Sequence, residues 1–449
     1  MAVDNKEQNN EQNEEEKYNF IEEKVNSRRK HKIKKFLVAV ALTIVLAIIF
    51  AITAGIVLCA AREPLFDIFG INKSIIEFDS DEDPDNNDNQ PIETETSETE
   101  ATEETEIESE TEKYVQPTII NNTIAADLDD LSNIYYEVKR LADDASKAMV
   151  LVTSIKSNKD WFENEIEVPD NINGLIVANN GVDLLVLVNY DQIQGANTIQ
   201  VTFTNDIKAE ATLQAFDSEL NLAIIAIDLN KLPEEVQEIE GAYLGESSYL
   251  PVGTPIIAIG SPNGRIGSME IGMVSSRNTN AYITDYQVDL YHTDINYVDD
   301  GQGYIINLKG KIVGIITTYL SDNINKEIST FIGISEIKPI IESLVNNEDR
   351  ACLGIKAIDI TSDALEELEL TNGIAVTSVV ANSPAFYNGI QVGDIITSIN
   401  DEDITSVKNY QSMLLESKPE DVILIEIHRE YHDDNDIIEV EAMLGTRQH

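Results

Sequence analysis

The chain has 449 residues, of which 42% are hydrophobic, and this is enough for two or three domains with at least one substantial core. Its formal net charge of −50 at pH 7 repels phosphate backbones, which excludes nucleic acid as a partner and disfavours binding of the folded part to a membrane surface. The two cysteines, Cys59 and Cys352, are too few and too far apart for a disulfide framework or a thiolate metal site, and no cofactor is expected.

Residues 36–61 form a continuous apolar run. Every residue from Phe36 to Ala61 is apolar, small or Thr, and a helix of 26 residues is long enough to cross the ~30 Å core of a bilayer. A basic cluster precedes the run and holds the tail 1–35 in the cytoplasm. Its members are Arg28, Arg29, Lys30, Lys32, Lys34 and Lys35. The sequence therefore predicts one transmembrane helix, with everything after Arg62 outside the cell membrane.

Two other interpretations of this run are weaker. A cleaved signal peptide would have a shorter basic region and an apolar core about half as long. A lipoprotein signal at Cys59 would need a small residue where Leu58 stands. We therefore expect a single-pass anchor, at a cell surface of the Gram-positive type.

The stretch 62–122 is acidic and rich in Thr, as in the run IETETSETEATEETEIESETEK at 92–113. It has too little apolar surface to offset the entropy of ordering, so it predicts a disordered, extended linker. Asp79, Asp81 and Asp83 resemble the start of a calcium loop. Pro84 stands in place of the Gly that such a loop requires, and Gln90 in place of its bidentate Glu, so no metal site is predicted.

A heptad pattern follows the linker. Apolar residues recur there at alternating steps of four and three, namely Ile124, Leu128, Leu131, Tyr135, Val138, Ala142, Ala145 and Met149. The preferred interpretation is an amphipathic helix over 123–148 that lies on the following domain, because two seam positions are only Ala. A coiled coil is the alternative.

After Met149 short β-branched and aromatic runs alternate with turn residues. The runs are 174–177, 184–188, 198–203, 222–227, 256–259, 304–307 and 312–316. Asn180–Gly181 and Lys309–Gly310 supply hairpin turns. Evenly spaced short strands without helices between them indicate β-barrels or a sandwich.

Particular blocks in this region resemble the HtrA/Deg family of trypsin-like serine proteases. They are NGLIVANNG at 173–181, DSELNLAIIAI at 217–227, LGESSYLPVGTPIIAIGSPNG at 244–264, GMVSS at 272–276, TDI at 293–295 and INLKGKIVGI at 306–315. The resemblance implies a mainly β fold over 149–346, with two packed six-stranded barrels of the chymotrypsin type and a site at their junction.

The residues at the family's catalytic positions differ from a Ser-His-Asp triad. Asp191 stands where the resemblance places the imidazole, and Asn221 where it places the carboxylate. Gly301 or Gln302 stands at the serine position, with an ambiguity of one residue, and Asp299 and Asp300 bring negative charge to the oxyanion turn. The sequence therefore predicts a catalytically degenerate member, a pseudoprotease that is not an enzyme.

One histidine of the five, His292, belongs to the barrels. It precedes Thr293 and Asp294 on a predicted strand, where a structural role is favoured over that of a relocated base.

A second resemblance, over 351–445, is to an HtrA-type PDZ domain. It is carried by CLGIKAIDI at 352–360, GIAVTSVVANSPAFYNGIQVGDIITSINDEDITS at 373–406 and VILIEIHRE at 422–430. It implies an α+β module that binds a partner's C-terminal strand, with the carboxylate on backbone amides of the turn Cys352, Leu353, Gly354 and Ile355. Met413, on a helix predicted over 406–417, is the candidate groove contact; a module that only stiffens the barrels is the alternative.

Two functions follow from these patterns. The first is a membrane-anchored scaffold or regulator that captures C-termini or exposed segments of envelope proteins, as a trimer or together with an active relative. The second is a serine-type endopeptidase of envelope quality control with residual activity, in which Asp191 or His292 would act with a hydroxyl such as that of Ser275.

Overall fold

The structure is a computed structural model that describes residues 73–79, 127–159, 165–320, 327–431 and 434–447. All of them belong to Lys73–His449, one of two units into which the chain divides, and the other unit is Met1–Asn72. The predicted tail 1–35, the transmembrane segment 36–61 and most of the predicted linker 62–122 lie outside the described residues. Within the described ranges, no helix has the length and apolar character needed to span a membrane.

Six strands close into the first barrel in the order β1-β2-β3-β6-β5-β4. They are β1 (Met149–Lys159), β2 (Glu165–Asn179), β3 (Asp183–Asn189), β4 (Thr198–Thr202), β5 (Lys208–Asp217) and β6 (Leu222–Asp228). The predicted turn at Asn180–Gly181 joins β2 to β3, where the Asn180 side chain accepts from the N–H groups of Val182 and Asp183.

Six further strands close into the second barrel in the order β10-β11-β12-β9-β8-β7. They are β7 (Pro255–Ser261), β8 (Ser268–Ile283), β9 (Tyr286–Asn296), β10 (Gln302–Ile306), β11 (Ile312–Ile316) and β12 (Ile328–Gly333). Gly310 at φ +77° turns the chain between β10 and β11, as the Lys-Gly pair predicts.

Strand β3 explains how the two barrels pack. Leu184 and Val186 point into the first barrel, whereas Leu185 and Leu187 join a separate cluster that includes Ile257 of the second barrel. Because side chains alternate between the faces of a strand, a continuous apolar run buries both faces. The main core is therefore the layer between the barrels, and a site at their junction is bordered by strands of both barrels.

Helices border the barrels and link them to the last domain. They are α1 (Leu128–Ala145), α2 (Tyr190–Ile193), α3 (Glu234–Gln237), α4 (Ile334–Asn346), α5 (Ser362–Glu367), α6 (Pro384–Tyr387) and α7 (Val407–Glu416). In α1, Val138, Leu141 and Ala142 pack on the layer between the barrels, while Leu128 is 81% exposed. Among the seam positions that the structure describes, those in the C-terminal half of the helix contact the barrels.

Residues 73–79 form an extended strap along α4. Asn346 holds the strap by both sides of its amide, because Oδ1 accepts from the Ile76 N–H at 3.0 Å and Nδ2 donates to the Ile76 carbonyl at 2.8 Å. Phe78 packs against the main core. The sequence placed this segment inside the disordered linker, because the residue that holds it, Asn346, lies 270 residues later in the chain.

The last domain is a small sheet with one side helix. Strands β14 (Ile355–Asp359), β15 (Ile374–Val379), β16 (Ile395–Ile399), β18 (Val422–Tyr431) and β19 (Asp434–Met443) pair in that order. Strand β17 (Glu402–Asp403) pairs with β16, and β13 (Ala351–Cys352) pairs with β20 (Gly445–Thr446). The predicted double barrel and PDZ fold are both confirmed.

Candidate functional site

Two of the predicted catalytic positions meet at the junction of β3 and β6. Asp191 lies on α2, directly after β3, and Asn221 lies in the turn before β6 with φ +57°. The Asn221 Nδ2 donates to Asp191 Oδ1 at 3.0 Å, and Asn221 Oδ1 accepts from the Asp191 N–H at 2.8 Å. A carboxylate with an amide behind it thus stands at the positions where the family resemblance expects an imidazole with a carboxylate behind it.

The third position lies at the start of β10. Gly301 is buried, and a Cβ there would be 2.8 Å from the Pro262 carbonyl oxygen and 2.9 Å from that of Val298. Gln302 pairs with Ser261 of β7 and accepts a long bond of 3.4 Å from the Ser261 hydroxyl at its backbone carbonyl. The surroundings of Gly301 therefore leave no room for a side chain, whereas position 302 accommodates the side chain of Gln302.

Negative charge borders this turn, as the sequence predicts. Asp299 and Asp300 are exposed, and the pKa of the nearby Tyr297 is raised, first by burial and then by the charge of Asp299. An oxyanion that formed here would face the same repulsion.

His292 lies on β9 and bridges two neighbouring strands. Its Nδ1 is 2.9 Å from the Thr330 hydroxyl of β12, and its Nε2 is 3.1 Å from the Thr279 hydroxyl of β8. Burial lowers its pKa, which favours the neutral ring. Among the described residues its ring nitrogens bond threonines, and the exposed Ser275 is not one of these partners.

The turn before β14 binds a carboxylate. Asp285 of the second barrel accepts through its carboxylate oxygens from the N–H groups of Leu353 at 3.0 Å, Gly354 at 2.8 Å and Ile355 at 3.0 Å. Gly354 has φ +89°, and a Cβ there would lie 2.2 Å from Ser383 Cβ, so the converging amides require glycine. The Asp285 side chain thus stands on the amides where the PDZ resemblance expects a peptide's terminal carboxylate.

A phenol completes this carboxylate site. Tyr410 of α7, 1% exposed, donates its hydroxyl to Asp285 Oδ1 at 2.7 Å. Burial first, and then the charge of Asp285, raise the pKa of the Tyr410 phenol and of the neighbouring Cys352 thiol. Both groups are therefore neutral at physiological pH, and the negative charge of the site resides on Asp285.

The sequence predicted some residues of this carboxylate site and missed others. Three of the four predicted turn residues, Leu353, Gly354 and Ile355, supply amides, while Met413 packs against the PDZ core as a partly buried side chain. Asp285 and the role of Tyr410 were missed. The Thr-Asp pair at 284–285 between two apolar runs signals a hairpin turn, but no local pattern says where that turn docks.

Comparisons with known proteins match both parts of the fold. A family profile described as trypsin-like peptidase domain matches residues 172–315, and one described as PDZ domain matches residues 375–429. A serine protease Do-like HtrA of Lactococcus lactis subsp. cremoris is 29% identical over 282 residues, which is 57% of this chain and 67% of that protein. A probable periplasmic serine endoprotease DegP-like of Rickettsia prowazekii is 31% identical over 267 residues, 57% of this chain but only 50% of the relative.

Solved structures agree on the fold. The HtrA-type protease AlgW with decapeptide superposes with a TM-score of 0.52 and 21% identity, over 69% of this chain and 99% of that one. At this identity the likeness concerns the fold alone.

A double barrel followed by a PDZ domain defines a trypsin-like peptidase fold with an attached PDZ module. The chain carries a trypsin-like peptidase domain and a PDZ domain, and in sequence it is similar to HtrA-type serine proteases. The prediction that it is not an enzyme is wrong, because its relatives in sequence are named serine proteases. That prediction was based on the residues at the triad positions, the acidic residues of the oxyanion turn and the presence of a single histidine in the barrels.

Proposed function

We propose that this HtrA-type protein acts at the cell envelope as a scaffold or regulator that binds C-termini of envelope proteins through its PDZ domain. The apolar run 36–61 would tether it, with the N-terminus in the cytoplasm and the barrels and PDZ domain outside. The observation that carries the proposal is the carboxylate held by the amides of Leu353, Gly354 and Ile355. A structural neighbour solved with a decapeptide adds support for peptides as ligands.

The ligand class is a peptide with a free C-terminal carboxylate. Three convergent N–H groups in a buried turn bind an anion well, because charge-assisted hydrogen bonds are stronger than neutral ones. An amidated C-terminus offers a single carbonyl oxygen and brings its own N–H groups against these donors. We therefore expect free-acid peptides to bind and their amides to fail.

The test uses the full-length chain in detergent with the substitution Asp285→Asn, so that the turn is not already held by a carboxylate. A library of C-terminal peptides is titrated as free acids and as amides. Preference for the free acid supports the proposal, and equal or absent binding of both forms overturns it.

Two glycine variants in the same background serve as a pair. Gly354→Ala is expected to abolish binding, because its Cβ meets Ser383. Gly253→Ala is the matched control, since Gly253 has a similar φ of +88° but open space around its Cβ position.

A second candidate function is a serine-type endopeptidase of envelope protein quality control; the names of the relatives support the serine-protease part of it. Incubation of the full chain with unfolded casein, in parallel with a fluorophosphonate probe, tests it directly. Cleavage together with labelling of one serine, mapped by mass spectrometry, supports this function. Absence of both overturns it.

A further inference from the structure

The hairpin between β8 and β9 enters the PDZ domain at its edge strand. Its two-residue turn is Thr284–Asp285, with Ile283 and Tyr286 paired across it. The Asp285 N–H donates to the Ile355 carbonyl at 2.7 Å, at the start of edge strand β14. A C-terminal residue that adds to a strand edge presents an N–H and a carboxylate, and Asp285 presents both from inside the chain.

A second set of contacts fixes the start of β9 to α7, the helix expected to border the groove. The Gln287 N–H donates to Gln411 Oε1 at 3.1 Å, and Lys408 Nζ donates to Asp289 Oδ2 at 2.9 Å. Asp285, Gln287 and Asp289 are alternate residues, so they share one side of the strand and meet the PDZ domain in succession.

We propose that Asp285 is a tethered ligand of the PDZ domain, which closes the carboxylate-binding turn until the hairpin tip withdraws. This inference rests on the proposed function, because it concerns the same turn. Asp285 is only 3% exposed, so an incoming carboxylate cannot reach the amides of Leu353, Gly354 and Ile355 while the tip is in place.

With Asp285 in place, each of the donors that face it has a hydrogen-bond acceptor. Three amides and the Tyr410 phenol share the two carboxylate oxygens, and withdrawal of Asp285 without a replacement would leave these donors unpaired in a buried site. The tether also gives Asp285 an effective concentration on the order of millimolar. A free peptide therefore binds with an affinity reduced by the fraction of open turns.

The test compares peptide affinity among full-length chains by fluorescence polarisation, with a labelled free-acid peptide selected on the Asp285→Asn chain. Asp285→Asn keeps a residue that tolerates φ +58° but removes the charge, and Asp285→Gly removes the side chain. Asp206→Asn is the matched control, because Asp206 also has positive φ, +64°, but lies in an exposed turn.

We expect both Asp285 variants to bind the peptide at least about tenfold more tightly than wild type, with Asp206→Asn at the wild-type value. Equal affinity of wild type and the Asp285 variants overturns the tether and leaves the proposed function standing. Failure of every chain to bind overturns the proposed function itself. If the variants do not fold, the peptide is selected on wild type instead; at saturation it must accelerate exchange of the Asp285 amide, and unchanged exchange overturns the tether.

Discussion

Asp217 and Arg447 lie 3.0 Å apart, Oδ2 to Nε, and this pair joins the end of β5 in the first barrel to the segment that follows the last PDZ strand. Arg350 approaches the same Oδ2 at 2.7 Å through Nη2. All three side chains are buried. The PDZ domain is thus fixed to the barrels by a buried cluster in which one carboxylate serves two guanidinium groups.

Removal of the carboxylate should be costly. Asp217→Asn leaves Arg350 and Arg447 buried without their common counter-charge, and we expect a loss of about 3–5 kcal/mol in the free energy of unfolding. Urea denaturation of the two chains measures it. Asp228→Asn removes a surface carboxylate paired with Lys231 and should change little; equal losses in the two variants would contradict the cluster's role.

The same cluster predicts an acid-sensitive step. Burial by itself would raise the pKa of Asp217, but Arg447 and Arg350 hold it at about 2 instead of 3.8. Since the folded pKa is depressed, its contribution, about 2–3 kcal/mol, is complete above about pH 4 and is lost as the pH falls toward 2. The melting temperature of wild type should therefore fall over this range toward that of Asp217→Asn, and parallel curves would contradict the prediction.

Of the two candidates for the serine position, only Gly301 should lower the stability of the fold when it is substituted. Gly301→Ala places a Cβ within 2.9 Å of two carbonyl oxygens, so we expect a loss of about 1–3 kcal/mol. Gln302→Ala truncates a partly exposed side chain and should be close to neutral. Chemical denaturation distinguishes the two. A neutral Gly301→Ala would show that the carbonyl oxygens of Pro262 and Val298 leave room for a Cβ at position 301.

Cys352 reports on the charge of Asp285. Burial first, and then Asp285, raise the pKa of its thiol, so alkylation by iodoacetamide at pH 8 should be slow in wild type. Asp285→Asn removes the charge and should speed the reaction, while Asp206→Asn should not. Mass spectrometry separates the Cys352 peptide from that of Cys59, and an unchanged rate in Asp285→Asn would argue against electrostatic contact.

Local patterns in the sequence were sufficient for the fold but not for the docking of its parts. Runs such as Leu184–Val188 indicate strands because β-branched and aliphatic residues pack well in sheets. Asp285 binds amides 68 to 70 residues further along the chain, and Ile76 meets Asn346 after 270 residues. Such contacts depend on how finished domains pack, which no local periodicity encodes.

The pair formed by Asp191 and Asn221 shows how far activity can be inferred from residue identities. The family resemblance placed both at one site, and they do bond each other. The inference from those identities to the absence of an enzyme failed, since function is decided by the whole site and not by three positions.

The most direct measurement of whether the PDZ turn is a carboxylate receptor is hydrogen exchange at the Leu353, Gly354 and Ile355 amides. In wild type these amides should exchange slowly, and in Asp285→Asn quickly. Addition of a free-acid peptide to the variant should restore slow exchange, while its amide should not. Fast exchange in wild type, or equal protection by both peptide forms, would contradict the account.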